Sequence, residues 1–171
     1  RLGVYGHSMG GTITGQVAGL DARIKAAVPS CGGAGITQEK NFARSGASAD
    51  RRVGDKLYSK TIDEMASLGK LTRPILGQSP QNDFNCIYDD LQLNWRAIPD
   101  PSLVHFSTSP HLNHRHVAQA EFTRIRFFDA FLKGEGPFPA TPELTVQLKA
   151  SNGIPLATVK PDAVDQVQHV Q

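Results

Sequence analysis

Short apolar runs alternating with segments of helical period constrain this chain more than any other feature. The runs are Leu2–Tyr5, Ile24–Pro29, Pro74–Gly77 and Leu103–Phe106. Helix candidates lie between and after them: Met9–Leu20, a segment opening at Thr61, Tyr88–Ile98 and Val117–Leu132. The order strand, helix, strand, excursion, helix, strand, helix, strand, helix predicts an α/β fold. Its centre is a doubly wound parallel sheet, covered on both faces.

Each helix has a predicted face. Met9, Ile13, Val17 and Leu20 recur every three or four positions, which places them on one side of the first helix. Gly10, Gly11, Gly15 and Gly19 lower its intrinsic propensity by up to ~1 kcal/mol each relative to alanine, and they permit close backbone approach. Thr61 and Glu64 have capping-box spacing ahead of an apolar stripe of Ile62, Met65, Ala66 and Leu68. Pro99 and Pro101 close the third helix. The last helix carries Val117, Ala120, Glu121, Ile125, Phe128 and Leu132 at helical spacing, with Phe127 and Phe131 widening the stripe and Gly134 as C-cap. Residues 32–56 show no periodicity and read as a loop excursion.

The pattern changes after Pro142. Leu144, Val146 and Leu148 alternate with polar residues, Asn152-Gly153 is a hairpin turn signal, and Ile154–Val159 reads as a returning strand. A boundary near residue 140 follows, with Gly134, Gly136, Pro137 and Pro139 as the linker. The chain opens within a strand-like run and stops at Val164–Gln171 in another, so an internal fragment of a longer protein is expected.

Charge and composition exclude several classes. Lys plus Arg is 18 against 16 Asp plus Glu, a net +2, which is not the basic face of a nucleic-acid binder. No apolar run approaches the ~18 residues of a membrane span. Cys31 and Cys86 are too few for a disulfide scaffold and match no zinc spacing. They leave the compartment undecided. Each follows a predicted strand at the same end of the sheet, so the two can pair in a disulfide or stand as buried thiols.

The residues with chemistry begin at Gly6-His7-Ser8-Met9-Gly10-Gly11, a G-x-S-x-G pattern placed between a strand and a helix. That context suits a serine held on a strained strand-to-helix turn, where flanking glycines remove side chains that would clash. A serine nucleophile needs a base, and the base an orienting group. Asp83 sits in the polar loop after Pro74–Gly77; Asp89 and Asp90 fall at a helix start, where carboxylates complement the dipole. For the base, His111, His114 and His116 compete in the loop after Leu103–Phe106. His114, just before the long helix, is preferred, and His111 is the main alternative. His105 reads as a packed strand residue. His7 lines the pocket or supports the turn. The three clustered histidines lack a metalloprotease pattern and a neighbouring carboxylate, so no metal and no cofactor is expected.

With these residues in hand, the chain resembles the C-terminal half of an α/β-hydrolase catalytic domain. The resemblance rests on Gly6–Gly11, on Asn82-Asp83-Phe84 after a strand, and on His114 after a later one. The doubled glycine and the intervals look like the branch of prolyl oligopeptidase-like peptidases, acetyl xylan esterases and dienelactone hydrolases. The resemblance covers about residues 1–135; with the boundary near 140, residues 1–139 are expected as half of a catalytic domain and 140–171 as a β-hairpin opening an accessory region. It also implies Ser8 as nucleophile, His114 as base, Asp83 as orienting acid and the Met9 N–H as one oxyanion donor. The second donor would come from a loop outside this chain. The expected function is a serine hydrolase acting on a small-molecule or carbohydrate ester. The alternatives are a serine peptidase and a non-catalytic binding relative. As an isolated piece it is expected to be poorly soluble and weakly active or inactive.

Overall fold

The computed structural model describes residues 1–32, 56–84, 86–110, 112–150 and 152–162. Within them the chain forms two compact units, Arg1–Gly136 and Pro137–Gln171.

The first unit is built on four parallel strands: β1 (Leu2–His7), β2 (Ile24–Ser30), β3 (Ile75–Pro80) and β4 (Val104–Ser109). They lie side by side in chain order, with Tyr5 opposite Val28, Ala27 opposite Ile75 and Leu76 opposite His105. The helices are α1 (Met9–Leu20), α2 (Lys56–Thr61), α3 (Glu64–Leu68), α4 (Tyr88–Trp95) and α5 (Gln119–Phe128). The last helix continues as a π-helical turn, Asp129–Lys133, and closes on Gly134 in the left-handed conformation expected of a C-cap.

Both faces of the sheet are covered. On one, Ile24, Ala27 and Ile75 pack with Ala18, Leu68, Leu71, Leu91 and Trp95, and Trp95 meets Phe106 of β4 at 4.6 Å between ring centroids. On the other, His105 of β4 lies against Phe127 and Phe131, at 5.8 and 5.7 Å. Alternate β4 side chains therefore serve opposite layers. β3 is buried along its whole length, as a central parallel strand requires. Each large apolar side chain removed from water here contributes ~1.5–3 kcal/mol.

Three expectations about local packing are corrected. The buried residues of α1 are Gly11, Thr14, Gly15 and Ala18, whereas Met9, Ile13 and Leu20 are at least half exposed. Close approach decides the face: a Cβ at Gly15 would overlap the Glu64 carboxyl, and one at Gly19 would lie 2.0 Å from the Ser67 carbonyl oxygen. The second correction concerns Thr61, which ends α2. Asp63 caps α3 instead, its side chain accepting from the Met65 N–H. In α5 the fully buried residue is Phe127, and Ile125 is half exposed, so the apolar stripe is centred on Phe127, which the spacing places at its border.

The second unit is an antiparallel hairpin of β5 (Glu143–Gln147) and β6 (Leu156–Lys160), with Leu144 opposite Val159 and Val146 opposite Ala157. Its connection runs from 148 to 155, longer than a two-residue Asn-Gly turn. Gly153 still takes a positive φ, and its N–H donates to the Ala150 carbonyl at 2.8 Å. Among the described residues no helix is long and apolar enough to cross a membrane.

Candidate active site

Parallel strands deliver their C-terminal ends to one edge of a sheet, and the loops leaving β1, β2, β3 and β4 converge there. Ser8 joins β1 to α1 with φ 60° and ψ −123°, a backbone conformation that costs a non-glycine residue on the order of 1–3 kcal/mol. It is held by its N–H donating to the Ser30 carbonyl at 2.8 Å, and by its own carbonyl accepting from Gly11 and Thr12. The glycines around it are not equivalent. A Cβ at Gly6 would lie 2.2 Å from the Gly10 carbonyl oxygen, and one at Gly11 2.5 Å from the Ser30 carbonyl oxygen, but one at Gly10 would meet nothing within 4 Å. The close approaches are made by Gly6 and by the second of the doubled glycines. Met9 opens α1, so its N–H falls among those with no intrahelical acceptor.

Asp83 follows β3 with its carboxyl wholly removed from solvent. The carboxylate accepts from the Cys86 N–H at 3.0 Å and from His114 Nδ1, with both oxygens at 3.0 and 2.9 Å. An acceptor on that side places the imidazole proton on Nδ1 and leaves Nε2 as an acceptor. Ser8 Oγ, 2.8 Å from Nε2, donates to it. His114 itself has φ 51°. Its ring lies between those of His7 and Phe84, at 5.1 and 5.2 Å, and the Phe84 N–H donates to Asn113 Oδ1 at 2.8 Å. That bond ties the acid loop to the histidine loop.

The other candidates separate. His116 Nε2 is 2.7 Å from Ser30 Oγ and 3.3 Å from Cys31 Sγ. Burial, then the neighbouring His7, lowers its pKa to about 4, so it is neutral. His7 Nδ1 bonds the same Ser30 Oγ at 2.8 Å, and burial followed by the nearby His114 also lowers its pKa. His105 packs in the far layer, its pKa lowered by burial. His111 lies outside the described residues, as do residues 33–55 of the expected excursion and the side chains of Asp89 and Asp90. Both cysteines are free and buried. Burial and the Asp83 charge push the Cys31 thiol up to about 12 and the Cys86 thiol higher still. Sequence reasoning missed Ser30 and Asn113. Ser30 had one signal: it ends a strand at the same edge as Ser8.

Among the described residues, two sets of donors come within 4.8 Å of one another, His7 with Cys31 and His116, and Cys31 with Asp83 and His114. The second shares its carboxylate and imidazole with the hydrogen-bonded relay.

No protein-family model matches the chain, and no curated protein matches it in sequence. Solved structures do. An acetyl xylan esterase from Paenibacillus sp. R4 superposes with a TM-score of 0.64 at 21% identity, over 77% of this chain and 45% of its own. An acylaminoacyl peptidase from Pyrococcus horikoshii gives 0.64 at 20% identity, over 78% of this chain and 24% of its own. A puromycin-hydrolyzing peptidase from Mycobacterium tuberculosis gives 0.61 at 20%, over 77% and 22%. The fold is the α/β-hydrolase fold, and the chain spans less than half the length of these proteins.

Proposed function

We propose that this chain carries the nucleophile, base and orienting acid of a serine hydrolase acting on esters. One observation carries the reading: the continuous line Asp83–His114–Ser8, with every link at 2.8–3.0 Å. Ser8 Oγ attacks the ester carbonyl carbon while His114 Nε2 takes its proton. The buried Asp83 carboxylate holds the ring and stabilises the imidazolium. The tetrahedral oxyanion takes a hydrogen bond from the Met9 N–H, the kind of donor whose removal costs roughly 10²–10³ in turnover. Collapse expels the alcohol, protonated by His114, and leaves an acyl group on Ser8. Water then repeats the sequence and releases the acid.

Support for the hydrolase reading comes from structural neighbours that are named as esterases and peptidases. A serine peptidase is the second reading, because the acylaminoacyl peptidase superposes as well as the acetyl xylan esterase does. The whole protein's substrate is part of this proposal. Residues 1–139 as half a catalytic domain and 140–171 as an accessory hairpin belong to it too.

The test uses the full-length gene product with p-nitrophenyl acetate and a matched acyl-peptide anilide. Ser8→Ala is expected to lower turnover by a factor on the order of 10³ or more. Undiminished turnover would refute the nucleophile. Faster cleavage of the anilide than of the ester would select the peptidase.

A further inference from the structure

The Ser30 hydroxyl stands where side chains from the ends of β1 and β2 and from the loop after β4 converge. His7 Nδ1 lies 2.8 Å from Ser30 Oγ and His116 Nε2 2.7 Å. Cys31 Sγ lies 3.3 Å from the same His116 nitrogen. One ligand atom from each of His7, Cys31 and His116 comes within 4.8 Å of the other two. Tetrahedral zinc, with Zn–S near 2.3 Å and Zn–N near 2.0–2.1 Å, needs its ligand atoms about 3.5 Å apart. The sulfur–nitrogen pair already has that spacing.

We propose that His7, Cys31 and His116 bind a zinc-class divalent cation, and that its binding switches off the neighbouring Ser8–His114 pair. The second clause rests on the hydrolase reading; the first does not.

The donor chemistry selects the class of ion. Two imidazoles and a sulfur, with no carboxylate among them, suit zinc or cadmium and not magnesium or calcium. Cys31 and Ser30 are wholly buried, which gives the site a dry wall. His7 is exposed and offers the way in. The second nitrogen of His116 faces the buried Ser109 hydroxyl at 3.5 Å, the kind of outer partner that orients a ligating imidazole. On binding, the Cys31 thiol gives its proton to solvent, one sulfur–metal bond forms, and the Ser30 hydroxyl yields its bridging place to the ion.

Coupling to Ser8 follows from position. His7 precedes Ser8 in the chain, and its ring packs 5.1 Å from that of His114. A divalent charge there opposes formation of the imidazolium that acyl transfer requires.

The test titrates the full-length gene product with cadmium chloride and reads the thiolate-to-cadmium absorption band, with zinc dialysis for stoichiometry. Wild-type protein and Ser8→Ala are both expected to show the band and to hold one zinc at this site. Cys31→Ser should abolish the band. His116→Gln should weaken binding by more than the roughly tenfold that loss of an outer partner costs, and His114→Gln should leave the band in place. Circular dichroism identifies any variant that has not folded, and the remaining variants decide the matter. Ester turnover in wild-type protein should fall along the binding curve. No band, or a band lost in His114→Gln but intact in His116→Gln, overturns the site; the latter would put the ion with Asp83 and His114. Binding without inhibition overturns the coupling. If Ser8 proves not to be the nucleophile, the band is unaffected, so the two readings fail separately.

Discussion

Two neighbouring strands end in the same way and present opposite chemistry. Ser8 after β1 and Cys31 after β2 are both non-glycine residues held at positive φ, 60° and 47°. Each carries a nucleophilic atom, and each lies close to the pair Asp83 and His114. Ser8 is partly open to solvent, with its hydroxyl directed at an imidazole nitrogen. Cys31 is sealed, and burial beside the Asp83 carboxylate holds its thiol in the protonated form. Intrinsic reactivity would rank them the other way, because a free thiol is the stronger nucleophile at neutral pH. On the proposed reading, burial and hydrogen-bond partner outweigh the identity of the atom.

The largest effect expected from this contrast is in labelling. At neutral pH in the metal-free protein, iodoacetamide should modify native Cys31 more than ~10²-fold more slowly than the same cysteine in denaturant, since the thiolate is the attacking form. Rapid alkylation of the native thiol, read by peptide mass, would remove the distinction between the two turns.

The next effect concerns what supports the Ser8 turn. Gly11→Ala drives a methyl group into the Ser30 carbonyl and should cost about 1–3 kcal/mol of stability, seen as a lower urea midpoint. Gly10→Ala enters open space and should gain up to ~1 kcal/mol from helix propensity. Equal effects at both positions would mean that the Ser30 contact does not brace the turn.

Much of this organisation is legible in the chain, and the exceptions share a cause. The strands can be placed because apolar runs and their breaks are local. Ser8, Asp83 and His114 can be singled out because each follows a strand, and parallel strands bring such positions to one edge. That the three side chains meet in a hydrogen-bonded line is a three-dimensional fact. The buried face of α1 is not legible. Periodicity favours Met9 and Ile13, but the small residues win because α3 and the Ser30 carbonyl approach them within contact distance. Thr61 and Glu64 fit a capping pattern, yet Asp63 caps because Thr61 is the last residue of the preceding helix. The Ser30 bridge has no pattern at all, since its partners lie far apart in the chain.

The smallest effect lies away from the two turns. Glu64 is buried against Gly15, and its Oε2 has no hydrogen-bond partner among the described residues. Burial, then the Asp63 charge, raises its pKa well above the ordinary carboxylate range. The folded state therefore keeps a proton that the unfolded state loses, and stability falls as pH rises above the unfolded value. Glu64→Gln should flatten that fall, measured as urea midpoints between about pH 5 and about pH 8. An unchanged pH slope would show that the carboxyl is ionised in the folded state.

The central claim is that Ser8, and not its sulfur-bearing neighbour, is the reactive atom, made so by His114. Treatment of the full-length gene product with a fluorophosphonate and mass analysis of the peptide Leu2–Arg23 tests it directly. The account predicts a single adduct on Ser8 that disappears in His114→Gln. No adduct, or one that forms equally well without the imidazole, would contradict it.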